Sequence, residues 1–208
     1  MSQENQTTTV VLFEPRVLFR NIARNHFEEK DYSIVCVSGG FITEEAYSIR
    51  SYKPLIAIGV YGVGEELSNT LRLIHYFSNQ GYDVVVWVPE EDKLMLRLMF
   101  GLGVRHVLAE ERLAEELSRL SLHQNGVTTQ APRLSGANNM KMLSTSELNV
   151  LLDSARGMSA KQIATSRHNS YKTIFAHIRN ACQRLGLESR HQWLELLARI
   201  EKINTHYM

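Results

Sequence analysis

The 208-residue sequence has two cysteines, four prolines and no apolar run approaching the ~18 residues that would cross a bilayer. Each shortage excludes something. Cys36 and Cys182 stand far apart, one in an apolar strand pattern and one on an apolar helix face, so two buried thiols and no disulfide are expected. No His, Cys, Asp or Glu pattern has metal-ligand spacing, and no cofactor is expected. Gly39-Gly40 and Gly62-Val63-Gly64 fall short of G-x-G-x-x-G, which argues against an enzyme built on a nucleotide-binding α/β domain. The opening MSQENQTTT is polar and lacks a basic segment followed by an apolar one, so a cytosolic protein without a membrane anchor is expected. Repeats and low-complexity tracts are absent as well.

What is present is unevenly divided. Residues 1–139 carry 13 Lys/Arg against 17 Asp/Glu, and 140–208 carry 10 against 5, so the near-neutral total conceals an acidic part joined to a basic one. A 44% hydrophobic content suffices for cores in two domains. Apolar runs at Thr8–Phe13, Tyr32–Val37, Leu55–Val60, Asp83–Val88 and Arg105–Leu108 read as buried strands. Helices are expected between and after them, over Arg16–Glu29, Thr43–Arg50, Glu65–Asn79, Asp92–Phe100 and Glu110–Leu120. Five strands alternating with five helices imply an α/β flavodoxin-like domain over 8–121, its five-stranded parallel sheet covered on both faces. Any crevice would open at the C-terminal ends of the strands. From 122 to 140, Gly, Pro, Asn, Gln, Ser and Thr prevail without apolar periodicity, which reads as a linker.

Residues 141–208 read as an all-α domain of four helices. Ser144 and Glu147 have the S/T-x-x-E spacing of a capping box, which starts a helix running to Arg156. Ser159 caps a short helix to Ser166, in which Ile163 and Ala164 let another helix cross closely; Ser170 caps a third, with Ile174, Ile178, Ala181 and Leu185 at helical spacing. A fourth, over Ser189–Ile203, is expected to align Trp193, Leu194, Leu197, Ile200 and Ile203 on one stripe. Two helices joined by the tight turn Arg167-His168-Asn169, the second carrying cations away from its buried stripe, have the form of a major-groove reader of double-stranded DNA. The outward positions of that helix are Lys172, Phe175, Ala176, Arg179 and Gln183. Arg179 is the best base-reader, because a guanidinium bonds both acceptors of a guanine edge. Gln183 is counted with it, and Phe175 and Ala176 either meet thymine methyls or pack. Lys161, Lys172, Thr173 and His177 are expected on phosphates, His177 being equally suited to a structural hydrogen bond.

At Leu143, Glu147, Val150, Leu151, Gly157, Ser159, Lys161, Ile163, Ala164, Ser170, Thr173, Ile174, His177, Asn180 and Leu185 the chain resembles, in one register, the helix-turn-helix domain of LuxR/NarL (FixJ)-type bacterial transcription regulators. Three positions depart from that pattern. Asn149 stands where a second Glu is frequent, and Arg167 and Asn169 stand where a Leu and an Ile or Val enter the core, so the turn is expected to pack differently. A similar polar turn before K-T-I-x-A-H occurs in the branch containing the auxiliary regulators RcsA and BglJ. The resemblance implies that the fourth helix pairs two such domains through Trp193, Leu194 and Leu197; packing against the first helix is the other reading.

Placed before such a domain, the α/β layout resembles a response-regulator receiver, with Leu18-Phe19-Arg20, Lys53-Pro54 and Gly101-Leu102-Gly103 setting the register. The resemblance implies paired acids for Mg²⁺, a phospho-acceptor Asp, a Thr or Ser and a Lys. Here those positions read Glu14-Pro15, Val60 (Gly59 if the register slips by one), Val88 and Glu110. One Glu beside a proline is a poor start for a cation that takes oxygen ligands. Val60 cannot form an acyl phosphate, Val88 cannot hydrogen-bond one, and Glu110 repels where Lys attracts. The domain therefore reads as a pseudo-receiver, and nothing in the sequence specifies a ligand for the altered site. It either solubilises the other half or pairs with itself or a second regulator. The candidate surface is the last helix, whose Glu111, Arg112, Glu115, Glu116 and Arg119 read equally as a solvated face. The expected function is a DNA-binding transcriptional regulator that acts as a dimer without phosphorylation. The alternative is an auxiliary regulator that binds DNA mainly as a heterodimer with a full response regulator.

Overall fold

In the computed structural model, residues 9–37, 54–61, 65–89, 93–123, 126–129 and 141–205 are described. Within them the chain divides into two compact units. One draws on Met1–Val60, Leu73–Glu90 and Val104–Pro132, the other on Tyr61–Arg72, Glu91–Gly103 and Arg133–Met208.

The first unit is built on five parallel strands, β1 (Thr9–Phe13), β2 (Ser33–Val37), β3 (Leu55–Gly59), β4 (Val84–Val88) and β5 (His106–Ala109), in the order β2-β1-β3-β4-β5. This is the doubly wound flavodoxin-like order. The three inner strands read as apolar runs because both their faces are covered: β3 and β4 are buried at every position. On one face Leu12, Ala57, Val85 and Trp87 pack with Ala23 and Phe27 of α1 (Val17–Glu28) and Leu113 and Leu117 of a later helix. In chain order α2 (Glu65–Asn79) follows β3, its first part up to Arg72 belonging to the second unit, and α3 (Lys93–Gly101), which follows β4, belongs wholly to the second unit. On the second face Phe77 of α2 meets Phe13 of β1, with ring centroids 5.7 Å apart. The expected helix over Thr43–Arg50 and the turns at Gly39-Gly40 and Gly62–Gly64 lie outside the described residues.

Three expectations for this unit need correction. Cys36 is exposed on β2, an edge strand whose Ser33 and Val35 are exposed as well; Cys182, in the second unit, is half-buried, and neither forms a disulfide. The helix expected over Glu110–Leu120 is a 3₁₀ turn (Glu110–Arg112) and then a short α4 (Leu113–Ser118), in which Glu116 is buried rather than solvated. One Glu116 oxygen accepts from Ala109 N at 2.7 Å and the other pairs with Arg112 at 3.1 Å, so this carboxylate ties the helix to the end of β5. The region expected to be a linker from 122 instead begins with an antiparallel hairpin, β6 (Leu120–His123) and β7 (Gly126–Thr129). The local sequence carried a signal: Leu120-Ser121-Leu122 alternates with strand period, and Val127-Thr128-Thr129 is β-branched.

In the second unit four helices follow in the C-terminal segment: α5 (Thr145–Ala155), α6 (Ala160–Ser166), α7 (Tyr171–Arg184) and α8 (Arg190–Thr205). Their starts are set by serines. Ser144 Oγ accepts from Glu147 N at 3.2 Å while Glu147 accepts from Ser144 N at 2.8 Å. Ser159 and Gln162 make the same reciprocal pair, and Ser170 accepts from Thr173 N at 3.1 Å. Each cap satisfies donors the helix leaves open and contributes about 1 kcal/mol. Gly157 and Gly186 carry φ of 81° and 63° just past the ends of α5 and α7, where side chains are strained and glycine is not. Along α8 the inward residues are Trp193, Leu196 and Ile200, whereas Leu194 is exposed and Leu197 half-buried. The stripe expected through Leu194 is therefore wrong, because that position lies one helical step, about 100°, off the buried line. Among the described residues no helix is long and apolar enough to cross a membrane, and no group of three His, Cys, Asp or Glu is placed to hold a metal.

Candidate nucleic-acid interface

Helix α7 is held by its buried stripe. Ile174, Ala181 and Leu185 are fully buried, Ile174 packing with Val150 of α5 and with Ile163 and Ala164 of α6. Fixing that stripe inward turns Lys172, Phe175, Ala176, Arg179 and Gln183 outward, and all five are exposed. Thr173 is half-buried, its hydroxyl hydrogen-bonded to Ser170 Oγ at 2.8 Å. Lys161 is exposed on α6, and His177 is half-buried beside a groove that also touches Asn149, Arg167 and His168.

The turn before α7 shows how its polar residues are accommodated. Arg167 Nε donates to Asp153 Oδ2 of α5 at 2.6 Å, and that carboxylate is nearly buried. Asn169 N donates to Ala164 O at 2.9 Å, and His168 takes a left-handed φ of 52°. An ion pair thus replaces the apolar contact expected from a Leu at 167, and Asn169 stays at the surface. Asp153 was not singled out in the sequence, where an acid ending a helix 14 positions earlier carries no visible link to the turn.

Charge along α6 and α7 is of one sign. Between Asp153 and Glu188 there is no Asp or Glu, while Arg156, Lys161, Arg167, Lys172, Arg179 and Arg184 all fall in that interval. Three of these cations are engaged internally: Arg156 and Arg167 with Asp153, at 4.0 and 2.6 Å, and Arg184 with buried Glu147 at 3.0 Å. Among the described residues, Lys161, Lys172 and Arg179 are exposed and have no ion-pair partner. Unpaired cations beside a helix that fits a major groove are what phosphate contacts and base reading require. Burial pushes the Cys182 thiol above its ordinary value, which makes it a poor nucleophile on the same helix.

The second site is the altered acidic pocket at the C-terminal ends of β1, β3 and β4. Glu14 is 1% exposed, and its carboxylate accepts four hydrogen bonds. Arg16 gives it three bonds, from N at 2.9 Å, Nε at 2.8 Å and Nη2 at 2.7 Å, and Trp87 Nε1 gives a fourth at 2.8 Å. The other Arg16 nitrogen donates to Glu110 at 2.7 Å, and the guanidinium lies 4.3 Å from the Phe19 ring centroid. Burial works against the Arg16 charge, but Glu14 and then Glu110 outweigh it, so the guanidinium is held above its ordinary value. At Glu110 burial, with the nearby charge of Glu14, outweighs the hydrogen bond and charge of Arg16 and raises the carboxyl above its ordinary value.

Gly59 is shaped by this network. A Cβ at Gly59 would lie 1.9 Å from Glu14 Oε2 and 2.8 Å from Trp87 Nε1. Gly59, not Val60, is therefore the β3 residue whose missing side chain opens toward Glu14, while Val60 and Val88 are buried. Pro15 is half-buried, and its carbonyl accepts from Arg20. Sequence reasoning placed Glu14, Gly59 and Glu110 at one site but missed Arg16 and Trp87. The signal was local: Glu14-Pro15-Arg16 puts opposite charges two residues apart at a strand end.

Residues 141–197 match the family model of bacterial regulatory proteins, luxR family. No curated protein matches the chain. Among solved structures the chain is similar to RcsB in a structure of two RcsB dimers bound to two parallel DNAs, with a TM-score of 0.50, 19% identity, and 92% of this chain and 99% of that one covered. The RcsB response regulator of Salmonella typhimurium gives a TM-score of 0.49 at 19% identity over 92% of this chain and 100% of that one. A response regulator from Thermotoga maritima gives 0.44 at 20% identity, over 54% of this chain and 93% of that one. The fold is thus a receiver-like parallel sheet followed by a LuxR-type helical domain.

Proposed function

We propose that this chain, with its luxR-family helix-turn-helix segment, is a DNA-binding transcriptional regulator that acts as a dimer and independently of phosphorylation. One observation carries the DNA-binding part. The outward face of α7 presents Arg179 and Lys172 without partners on a stretch devoid of carboxylates, while neighbouring arginines are engaged with α5. In this reading Arg179 reads a guanine edge and Gln183 a neighbouring base; Lys161, Lys172, Thr173 and His177 hold phosphates. Independence from phosphorylation is supported by the pocket. Glu14 is saturated by Arg16 and Trp87, Glu110 is taken by the same arginine, and Gly59, the last residue of β3, has no space for a carboxylate.

Dimerisation is supported by exposed Leu194 on α8, an apolar side chain beside the half-buried Leu197. The similar RcsB structure holds dimers bound to DNA. A second reading follows from the same saturated pocket. A receiver-like domain without its own acceptor would draw regulation from a full response regulator by heterodimerising with it, as an auxiliary regulator of the RcsA and BglJ branch would. The polar Arg167–Asp153 turn supports that placement.

The test selects fragments from random double-stranded DNA with the full chain, with and without acetyl phosphate. The expected result is a two-half-site sequence retained equally under both conditions by a dimer. Selection only after adding a phosphorylatable regulator would favour the heterodimer, and retention that rises with acetyl phosphate would overturn phosphorylation independence.

A further inference from the structure

Helix α7 presents an aromatic pair that the sequence reading did not join. Tyr171 and Phe175 are 53% and 47% exposed, and their rings meet edge to face with centroids 4.5 Å apart. Such a pair stiffens both side chains, so a contact made by either loses less rotamer freedom. The buried stripe does not use them: it runs through Ile174, Ala181 and Leu185. Tyr171, Phe175, Arg179 and Gln183 instead recur every four residues, forming one outward row of two aromatic rings, a guanidinium and a carboxamide.

We infer that Tyr171 and Phe175 form a thymine-reading element, taking the C5-methyl groups of thymines in the major groove beside the base read by Arg179. This inference rests on the DNA-binding reading above and adds a base preference to it. The chemistry of the surroundings selects the occupant. The charged side chains on the same face, Lys172 and Arg179, are both cationic, and the absence of any acid from 154 to 187 suits an apolar contact framed by phosphates. Of the groups displayed in a major groove, only the thymine methyl is apolar. Spacing gives the position as well. One step of the row advances about 6 Å along the helix, against about 3.4 Å between bases, so the thymine lies about two base pairs from the guanine of Arg179.

The experiment uses the full chain and the double-stranded sequence it selects, with each thymine replaced in turn by deoxyuridine, which removes only the methyl group. Affinity is read by fluorescence anisotropy. For the wild type, one replacement about two base pairs from the guanine is expected to weaken binding about four-fold, the effect of withdrawing one methyl from apolar contact. In Phe175→Ala that replacement is expected to have no further effect, while binding to random DNA falls less than binding to the selected site; Tyr171→Ala, which unstiffens Phe175, is expected to reduce the effect. Both residues are exposed, and circular dichroism melting of the variants checks that the fold persists. A selected site indifferent to every deoxyuridine replacement overturns the thymine inference alone. Equal loss by Phe175→Ala on selected and random DNA also overturns it. If the chain retains no DNA, the DNA-binding reading falls and takes this inference with it.

Discussion

Arg16 carries more of the first unit's chemistry than its place in the sequence suggests. It makes three bonds to a carboxylate that is almost fully buried, and a fourth to Glu110. Removing it leaves Glu14 with Trp87 as its remaining side-chain donor, and Arg16→Ala is expected to destabilise the chain by about 3 kcal/mol or more in urea unfolding. Gly59→Asp, the substitution that would recreate an acceptor, should also lower the unfolding midpoint, because its side chain begins where Glu14 Oε2 already lies. Mass spectrometry after incubation with acetyl phosphate should find it unmodified.

Glu110 gives the pH signature of the same network. Its carboxyl is raised in the folded state, chiefly by burial, so the folded chain binds its proton more tightly than the unfolded chain. Between the ordinary glutamate value and the raised one, stability should therefore fall as pH rises, and Glu110→Gln should flatten that segment of the profile. On α7, Arg179→Ala should lose roughly 1–3 kcal/mol on the selected DNA and relax its sequence preference, whereas Lys172→Ala should weaken selected and random DNA alike.

Among the elements, the turn between α6 and α7 makes the sharpest prediction. Arg167 and Asp153 hold it as a partly buried pair, so removing one partner leaves a charge without its bond. Asp153→Ala and Arg167→Ala are each expected to cost about 1–3 kcal/mol, with a double variant less destabilised than the sum of the two. Additive losses in thermal unfolding would count against the pair as the element that positions α7. Helix starts were legible in the sequence because Ser144, Ser159 and Ser170 announce themselves locally, and strands β3 and β4 because both faces are apolar. The outward set of α7 was legible for the same reason: a 3.6-residue period assigns both faces at once. Long-range partners were not. Asp153 with Arg167, and Trp87 with Glu14, depend on how distant segments converge. The hairpin after α4 was missed because a polar composition outweighed two strands of four residues each.

For the whole molecule, salt dependence can count protomers on DNA. Each phosphate neutralised by a lysine contributes roughly −0.9 to the slope of log affinity against log salt. Lys161→Ala should therefore flatten that slope by about 1 if one helical domain engages DNA and by about 2 if two do. A change near 1 would speak against the homodimer. The measurement complements sedimentation, since it reports how many domains touch DNA rather than how many chains travel together.

The two cysteines differ in a way that gives the experimenter a handle. Cys36 is exposed on β2, whereas Cys182 sits half-buried on α7 with its thiol pushed upward by burial. At neutral pH a maleimide dye should attach first at Cys36, leaving α7 chemically untouched. The natural chain can then carry a fluorophore or a spin label on its sheet domain without any engineered residue. With one label per protomer, energy transfer between copies would read association directly, before and after DNA is added.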